Sequence, residues 1–122
     1  MNSYQCTVRL FYKQLKTLYN MEKINGKVVL PTEYSKLDWR RGEKAIVREQ
    51  YIVEQSGMCY YCNTPLKFEP PTDVTDKDID LGLFPPNFLK HPIHLQHNHR
   101  TDMTEGAVHA YCNGVMWQYE GR

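Results

Sequence analysis

Apolar side chains recur at helical spacing in two stretches of the first half of the chain. Residues 4–23 show this period, which is typical of an amphipathic helix. Residues 39–55 set apolar positions among charged ones, and Gly57 follows as a helix stop signal. Between the two predicted helices, Asn25-Gly26 indicates a turn and residues 27–31 a short strand or extended link. The positions that define the two helical patterns are Val8, Phe11, Tyr12, Leu15, Leu18 and Tyr19, and then Ile46, Val47, Tyr51, Ile52 and Val53.

The second half of the chain has a different pattern. Residues 63–92 contain six of the seven prolines and the acidic run DVTDKDID, and neither helical nor strand periodicity is present, which predicts a long loop. Residues 93–106 predict two short strands joined by a turn at about Arg100 to Asp102, and residues 107–119 predict a helix. We therefore expect an α+β fold in a single domain over residues 1–122, with a helical part (1–57) and a second part (58–122) that carries the chemistry.

Composition adds modest constraints. Hydrophobic residues make up 41% and charged residues 24% of the chain, as in ordinary globular proteins. The chain lacks an apolar run of about 18 residues, and its N-terminus lacks a secretory pattern, so we expect a cytoplasmic protein that does not enter the membrane. Residues 1–58 carry a net charge of +4 and residues 59–122 a net charge of −3, which sum to +1. A basic half can bind phosphates, but a solvated helix surface gives similar counts, so charge alone leaves a nucleic-acid partner open.

Two pairs of metal-ligand residue types stand at matching spacing. Cys59-x-x-Cys62 supplies one pair and His109-x-x-Cys112 the other. Zinc in structural sites takes four such ligands as two short-spaced pairs, and positions three apart on a helix share a face, so we predict a Cys3His zinc site. Two alternatives stay open: an incidental CxxC with His109 and Cys112 packed along a helix, or a redox-active CxxC. The fourth cysteine, Cys6, is interpreted as a buried small hydrophobic residue.

A cluster of histidines precedes the second ligand pair. His91, His94, His97 and His99 fall within nine residues. In a strand, alternate residues share a face, so His97 and His99 are expected on one face and Gln96 and Asn98 on the other. A neutral imidazole can take a proton from water, and the carbonyl oxygens of Gln96 and Asn113 can bind a divalent cation. The alternatives are surface histidines on a polar hairpin or a second transition-metal site.

In this order, CYYC, HLQHNH, Gly106, HAYC and Asn113 resemble the HNH, or ββα-metal, endonucleases, in particular the branch of phage recombination endonuclease VII and small phage homing enzymes. The resemblance covers about residues 46–120. It implies a phage-encoded DNA endonuclease with a zinc-stabilised ββα-metal motif, which in this chain follows the N-terminal helices predicted from periodicity. It also implies that Cys59, Cys62, His109 and Cys112 hold structural zinc, that His97 is the general base, and that Asn113 binds a catalytic Mg or Mn ion.

The resemblance also implies a role for His99, which is either contact with the scissile phosphate or assistance to the catalytic metal. Whether the protein forms a homodimer is left open. The chain departs from the family pattern at two positions. His109 stands where cysteine is usual, which preserves a good zinc ligand. Gln96 stands where an aspartate usually binds the catalytic metal, and a neutral amide holds a cation less well, although Asp102 could substitute. The departure at Gln96 leaves a second function open, that of a zinc-dependent nucleic-acid-binding protein with little or no catalysis. A third possible function is that of a zinc protein that binds another protein.

Two further groups of charged residues lie outside these motifs. The basic residues near the second predicted helix could contact DNA, with Trp39 available to pack or stack, or they could form a solvated helix face. The acidic residues of the long loop are interpreted as solvated rather than as a calcium site. The basic set is Arg40, Arg41, Lys44 and Arg48, and the acidic set is Asp73, Asp76, Asp78 and Asp80.

Overall fold

The computed structural model describes residues 23, 24 and 27–121. These residues belong to two compact units, which divide after Thr32. In the first unit, β1 (Lys23–Ile24) and β2 (Lys27–Val28) pair in antiparallel register. The helix predicted over residues 4–23, together with Cys6, lies outside the described residues except for Lys23, which is in a strand rather than a helix. The prediction of one domain over the whole chain stays a prediction.

Helix α1 (Glu43–Glu54) opens the regular structure of the second unit, Glu33–Arg122. The prediction began this helix at Trp39, but Trp39–Arg41 form a separate 3-10 helix, because Gly42 adopts a left-handed φ of 76° that interrupts the helical path. The predicted stop is confirmed. Gly57 has a φ of 77°, and its N–H donates to the carbonyl of Ile52 at 2.8 Å, which closes the helix end.

An antiparallel hairpin follows the long loop. Strands β3 (Ile93–His97) and β4 (Thr104–His109) pair with Gln96 opposite Gly106 and His97 opposite Thr104. Glu105 therefore has no direct partner, and the register shifts between Gln96 and His97. The predicted hairpin is confirmed, and in the turn the side chain of Asn98 accepts backbone N–H groups from the two residues before Asp102.

Helix α3 (Ala110–Glu120) comes directly after β4. The prediction started this helix at Ala107, but residues 107–109 continue the strand because each has a partner on β3, down to the pair of His109 with Ile93. Cross-strand pairing therefore outweighs the helical pattern at this point. α1 and α3 both pack against the hairpin. The most deeply buried side chains of the resulting core are Val47, Cys59, Gln96, Val108, Cys112, Val115 and Met116.

The loop over residues 63–92 is largely irregular, as predicted, and includes the short helix α2 (Thr72–Thr75) and a 3-10 turn at Leu81–Leu83. Side chains of α3 hold its backbone: the hydroxyl of Tyr111 donates to the Lys77 carbonyl at 2.6 Å, and the Gln118 amide accepts the Asp80 N–H at 2.8 Å. The mixed α+β architecture is confirmed. In the described part of the chain, no helix combines the length and the apolar character needed to cross a bilayer. The acidic loop residues Asp73, Asp76, Asp78 and Asp80 are all exposed.

Candidate functional site

The four predicted zinc ligands come together in the structure. Cys59, Cys62, His109 and Cys112 each present one ligand atom, and these atoms all lie within 4.8 Å of one another. The Nδ1 atom of His109 is 3.4 Å from the sulfur of Cys62 and 3.6 Å from that of Cys112. Tetrahedral zinc at its usual bond lengths separates its ligand atoms by roughly 3.5–3.8 Å. The cluster is therefore compatible with a structural zinc ion.

The two ligand pairs reach the cluster from different local structures. Cys59 and Cys62 lie in a tight turn, where the Cys59 N–H donates to the Thr64 carbonyl at 2.8 Å. The Tyr60 N–H donates to the carbonyl of Ala107 at 2.9 Å, which ties this turn to β4. The spacing of the second pair predicted that both residues lie on one helix, and they do not. His109 is the last residue of β4 and Cys112 lies in the first turn of α3, so the pair spans a strand-to-helix junction.

Backbone carbonyls of the long loop orient the His109 ring. Its Nε2 atom lies 2.8 Å from the carbonyl oxygen of Phe68 and 3.0 Å from that of Pro65. Since only a protonated Nε2 can donate to these oxygens, Nδ1 carries the lone pair and faces the thiols. Nothing in the sequence indicated this contact, because it joins residues about forty positions apart through irregular backbone.

The cluster favours negative charge on sulfur. The Cys112 thiol donates a hydrogen bond to the sulfur of Cys59, which lowers the pKa of Cys59 to about 4. The same contact, together with burial, raises the pKa of Cys112. A thiolate is the form of cysteine that binds metal, so a preformed negative sulfur suits a cation site.

A cleft of about 590 Å³ is lined in part by Asn113, in the first turn of α3. Four residues predicted from sequence as catalytic or cation-binding line it, and they share it with basic side chains of α1 and aromatic side chains of the long loop. The predicted residues are Gln96, His97, His99 and Asn113, and the other lining residues include Tyr34, Lys44, Arg48, Leu83, Phe84, Phe88, His94 and Trp117.

His97 is held by stacking. Its ring lies parallel to that of Tyr34, with centroids 3.7 Å apart and an interplanar angle of 10°, and the His99 ring is 4.5 Å away. Burial lowers the pKa of His97, and the neighbouring His99 lowers it further. The imidazole is therefore neutral at neutral pH. Tyr34 had no assigned role in the sequence analysis, because it lies 63 positions before His97 and outside every recognised motif.

Asn113 is hydrogen-bonded to a histidine that the sequence analysis left without a role. Its amide nitrogen donates to Nδ1 of His94 at 3.0 Å. Burial lowers the pKa of His94, and a neutral ring accepts this N–H at Nδ1 when its own proton is on Nε2. Because Asn113 directly follows Cys112, the metal cluster and the cleft meet in a single turn of α3. Strand alternation was the available signal for His94, since it lies two residues before Gln96.

Gln96 is buried, with 1% of its surface exposed. Its amide nitrogen donates to the His97 carbonyl at 3.0 Å and to the Glu105 carboxylate at 3.4 Å. Gln96 and His97 both line the cleft, and the register of the hairpin shifts between them. Gln96 is buried and His97 is half-buried, and their placement on opposite faces of the strand stays a prediction. Asp102, the predicted substitute acid, instead accepts hydrogen bonds from Ser35, which lower its pKa, and it does not line the cleft.

Two of the four predicted DNA-contacting cations face the cleft. Lys44 and Arg48, one helical turn apart on α1, both line it. The Nε atom of Arg48 is buried and has no hydrogen-bond partner among the described residues. Arg40 lies over the ring of Trp39 at 5.7 Å and Arg41 lies 3.4 Å from the Asp38 carboxylate, so neither belongs to the cleft.

Comparisons of the chain with protein-family models, with curated proteins and with solved structures give no match. Function must therefore be inferred from the chemistry of the cluster and the cleft.

Proposed function

We propose that the protein is a metal-dependent DNA endonuclease of the HNH, or ββα-metal, type. The observation that carries the proposal is the convergence of four side chains on one cleft: His97, His99, Gln96 and Asn113. An imidazole and amide oxygens in one place are what hydrolysis of a phosphodiester requires, namely a base for water and oxygen ligands for a divalent cation.

His97 is the proposed general base. It accepts a proton from a water molecule whose oxygen forms a bond to phosphorus, while the bond from phosphorus to the 3′ oxygen breaks. The departing oxygen takes a proton from solvent, which leaves a 3′-hydroxyl and a 5′-phosphate. Tyr34 limits rotation of the His97 ring by stacking on it, and His99 lies close enough to contact the same phosphate. The neutral state of His97 suits a group that must gain a proton.

Gln96 and Asn113 are the proposed ligands of a magnesium or manganese ion. Their amide nitrogens already donate to protein acceptors, so the carbonyl oxygens are the atoms that these side chains would offer to a cation. The Glu105 carboxylate beside Gln96 provides the negative charge that the amide lacks. When bound, such an ion stabilises negative charge on the leaving oxygen.

Lys44 and Arg48 are the proposed contacts to the phosphate backbone. A buried donor without a partner is unfavourable by about 1–3 kcal/mol, and a phosphate oxygen would satisfy the Nε atom of Arg48. Both cations belong to α1, which packs against the hairpin that carries His97. The proposed phosphate contacts and the proposed general base, His97, therefore belong to elements that pack together.

A plasmid assay tests the proposal. Zinc-loaded protein with Mg or Mn should nick or linearise supercoiled DNA, and His97→Ala should lower the rate by about 10²–10⁴-fold. The zinc content and melting temperature of the variant should equal those of the parent, which excludes misfolding as the cause. A variant that cuts as fast as the parent would show that His97 is not the base.

A second candidate is favoured by the neutral side chain of Gln96, which stands where hydrolysis would be better served by a carboxylate. This candidate is a zinc-dependent nucleic-acid-binding protein without catalysis. It predicts that the protein retards DNA in a gel and leaves the plasmid supercoiled with either metal. The same plasmid experiment therefore separates the two functions.

A further inference from the structure

One wall of the cleft has no part in hydrolysis. It is apolar and aromatic, and it comes from the long loop and from the exposed side of α3. Trp117, with 40% of its surface exposed, and Leu83, with 53% exposed, both belong to this wall. Apolar side chains left open beside a polar site indicate a ligand with an apolar part.

The aromatic rings form a continuous series from the polar floor to the rim. The Phe88 ring meets the edge of His94 at 4.8 Å, Phe84 stacks on Phe88 at 4.4 Å, and Trp117 meets Phe84 at 5.3 Å. His94 is bonded in turn to Asn113. The series therefore begins at a proposed cation ligand and ends at solvent.

This wall is fixed against α3. A Cβ atom on Gly114 would lie 3.4 Å from the Phe88 ring and 3.0 Å from Ile79, so the loop packs directly on the helix backbone next to Asn113. Trp117 lies one helical turn after Asn113, about 6 Å along the axis. An aromatic surface is thus held within one turn of Asn113, a proposed cation ligand.

We infer that this wall stacks on an unpaired nucleobase, so that the substrate is DNA with an unstacked nucleotide, either single-stranded or flipped out, rather than an uninterrupted duplex. The inference rests on the proposed function, since the base belongs to the nucleotide whose phosphate reaches His97. In a duplex both faces of a base are covered by its neighbours, whereas an unpaired base offers a free face to aromatic side chains.

The charge distribution of the cleft fits the same ligand. Lys44 and Arg48 lie on the α1 side, while Phe84, Phe88 and Trp117 lie on the side of the loop and α3. A nucleotide has the matching division, because its phosphate is anionic and its base is flat and apolar on both faces. A wholly apolar ligand would leave the Arg48 donor unsatisfied.

Tryptophan fluorescence tests the inference without relying on cleavage. Trp39, which lies outside the cleft, is replaced in Trp39→Phe, so that Trp117 becomes the single tryptophan of the full-length, zinc-loaded protein. Without added magnesium, a short single-stranded oligothymidylate should quench the Trp117 emission. The blunt duplex with oligodeoxyadenylate should bind to the basic residues with clearly less quenching.

A pair of variants tests the same wall by affinity, measured as fluorescence anisotropy of a labelled oligothymidylate. Phe84→Ala should weaken binding about tenfold, as expected for the loss of one stacking surface. Phe68→Ala is the matched control, since Phe68 is exposed but does not line the cleft. Its affinity should equal that of the parent.

The inference is overturned if the single strand binds without changing Trp117 emission, or if Phe84→Ala and Phe68→Ala bind equally well. In either case, cutting of the plasmid by the parent would leave the endonuclease proposal standing. A protein that neither binds any of these DNAs nor cuts the plasmid would overturn both.

Discussion

At Tyr51 a single buried hydroxyl joins α1 to the hairpin. Its oxygen lies 2.8 Å from the hydroxyl of Thr104, and both residues are buried. Burial raises the pKa of Tyr51, because the phenolate would lose its solvation. The neutral phenol is therefore the form that the folded protein stabilises.

This contact predicts a loss of stability in alkali. The folded-state pKa lies above the unfolded value of about 10, so the contribution of the neutral phenol is complete below that pH and is lost as pH rises through the folded value. Between pH 9 and pH 11, urea titration should show a larger fall in the free energy of unfolding for the parent than for Tyr51→Phe. At pH 8 the variant should be less stable by about 1 kcal/mol, because the hydrogen bond between the Tyr51 and Thr104 hydroxyls is lost.

Tyr60→Phe is the control, since Tyr60 has 46% of its surface exposed. It should follow the parent through the same pH range. If the free energy of unfolding falls equally between pH 9 and pH 11 in the parent and in Tyr51→Phe, the effect does not come from Tyr51.

At the scale of elements, the Gln55 side chain joins the end of α1 to β4 and to the first cysteine turn. Its amide nitrogen donates to the carbonyls of Met58, at 2.6 Å, and Ala107, at 2.9 Å, and its oxygen accepts the Ala107 N–H at 2.9 Å. Gly106 permits this approach, because a Cβ there would lie 2.7 Å from the Gln55 oxygen. The glycine between the histidine motif and the second ligand pair thus has a packing reason.

Gln55→Leu should lower the free energy of unfolding of the zinc-loaded protein by about 1–3 kcal/mol, since it leaves the backbone groups of Ala107 without these partners. Denaturant titration measures the change. Glu54→Ala, at the exposed neighbouring position, should change stability by less than about 0.5 kcal/mol. A Gln55→Leu protein as stable as the Glu54→Ala protein would show that these hydrogen bonds contribute nothing net.

At the scale of the whole second unit, the Cys3His cluster closes the chain between Cys62 and His109. Its first part, residues 63–92, is largely irregular, and hydrogen bonds tie this part to the Gly57 carbonyl, to α3 and to the His109 ring. A bound zinc ion would remove much of the freedom of that segment in the folded state and link binding free energy to folding. Zinc would stabilise the cleft as well, because Phe84 and Phe88 line it and lie between Cys62 and His109.

Removal of zinc with a strong chelator should therefore lower the melting temperature by at least 10 °C, a shift that corresponds to a few kcal/mol in a domain of this size. Circular dichroism measures the melting temperature, and added zinc should restore it. Cys112→Ser should lose stoichiometric zinc, whereas Cys6→Ser, which keeps all four proposed ligands, should retain one zinc per chain. A chelated protein with an unchanged melting temperature would argue against a structural metal.

The sequence by itself determined the features that depend on short spacing. The CxxC and HxxC pairs, the hairpin over residues 93–106 and the stop at Gly57 all follow from residues that are close in the chain. The prediction that Asn113 binds a cation has the same basis, since its position directly after Cys112 is read from the sequence alone. The α+β class follows from the sum of these local patterns.

Only the tertiary structure decided how those features meet. The Phe68 carbonyl sets which nitrogen of His109 faces the sulfurs, Tyr34 stacks on His97, and Gln96, His97 and Asn113 line one cleft. The continuation of β4 to His109, in place of a longer helix, is also a result of pairing with β3. The physical reason is the same throughout: these contacts join groups far apart in sequence, and their geometry depends on how whole elements pack rather than on the preference of any one segment.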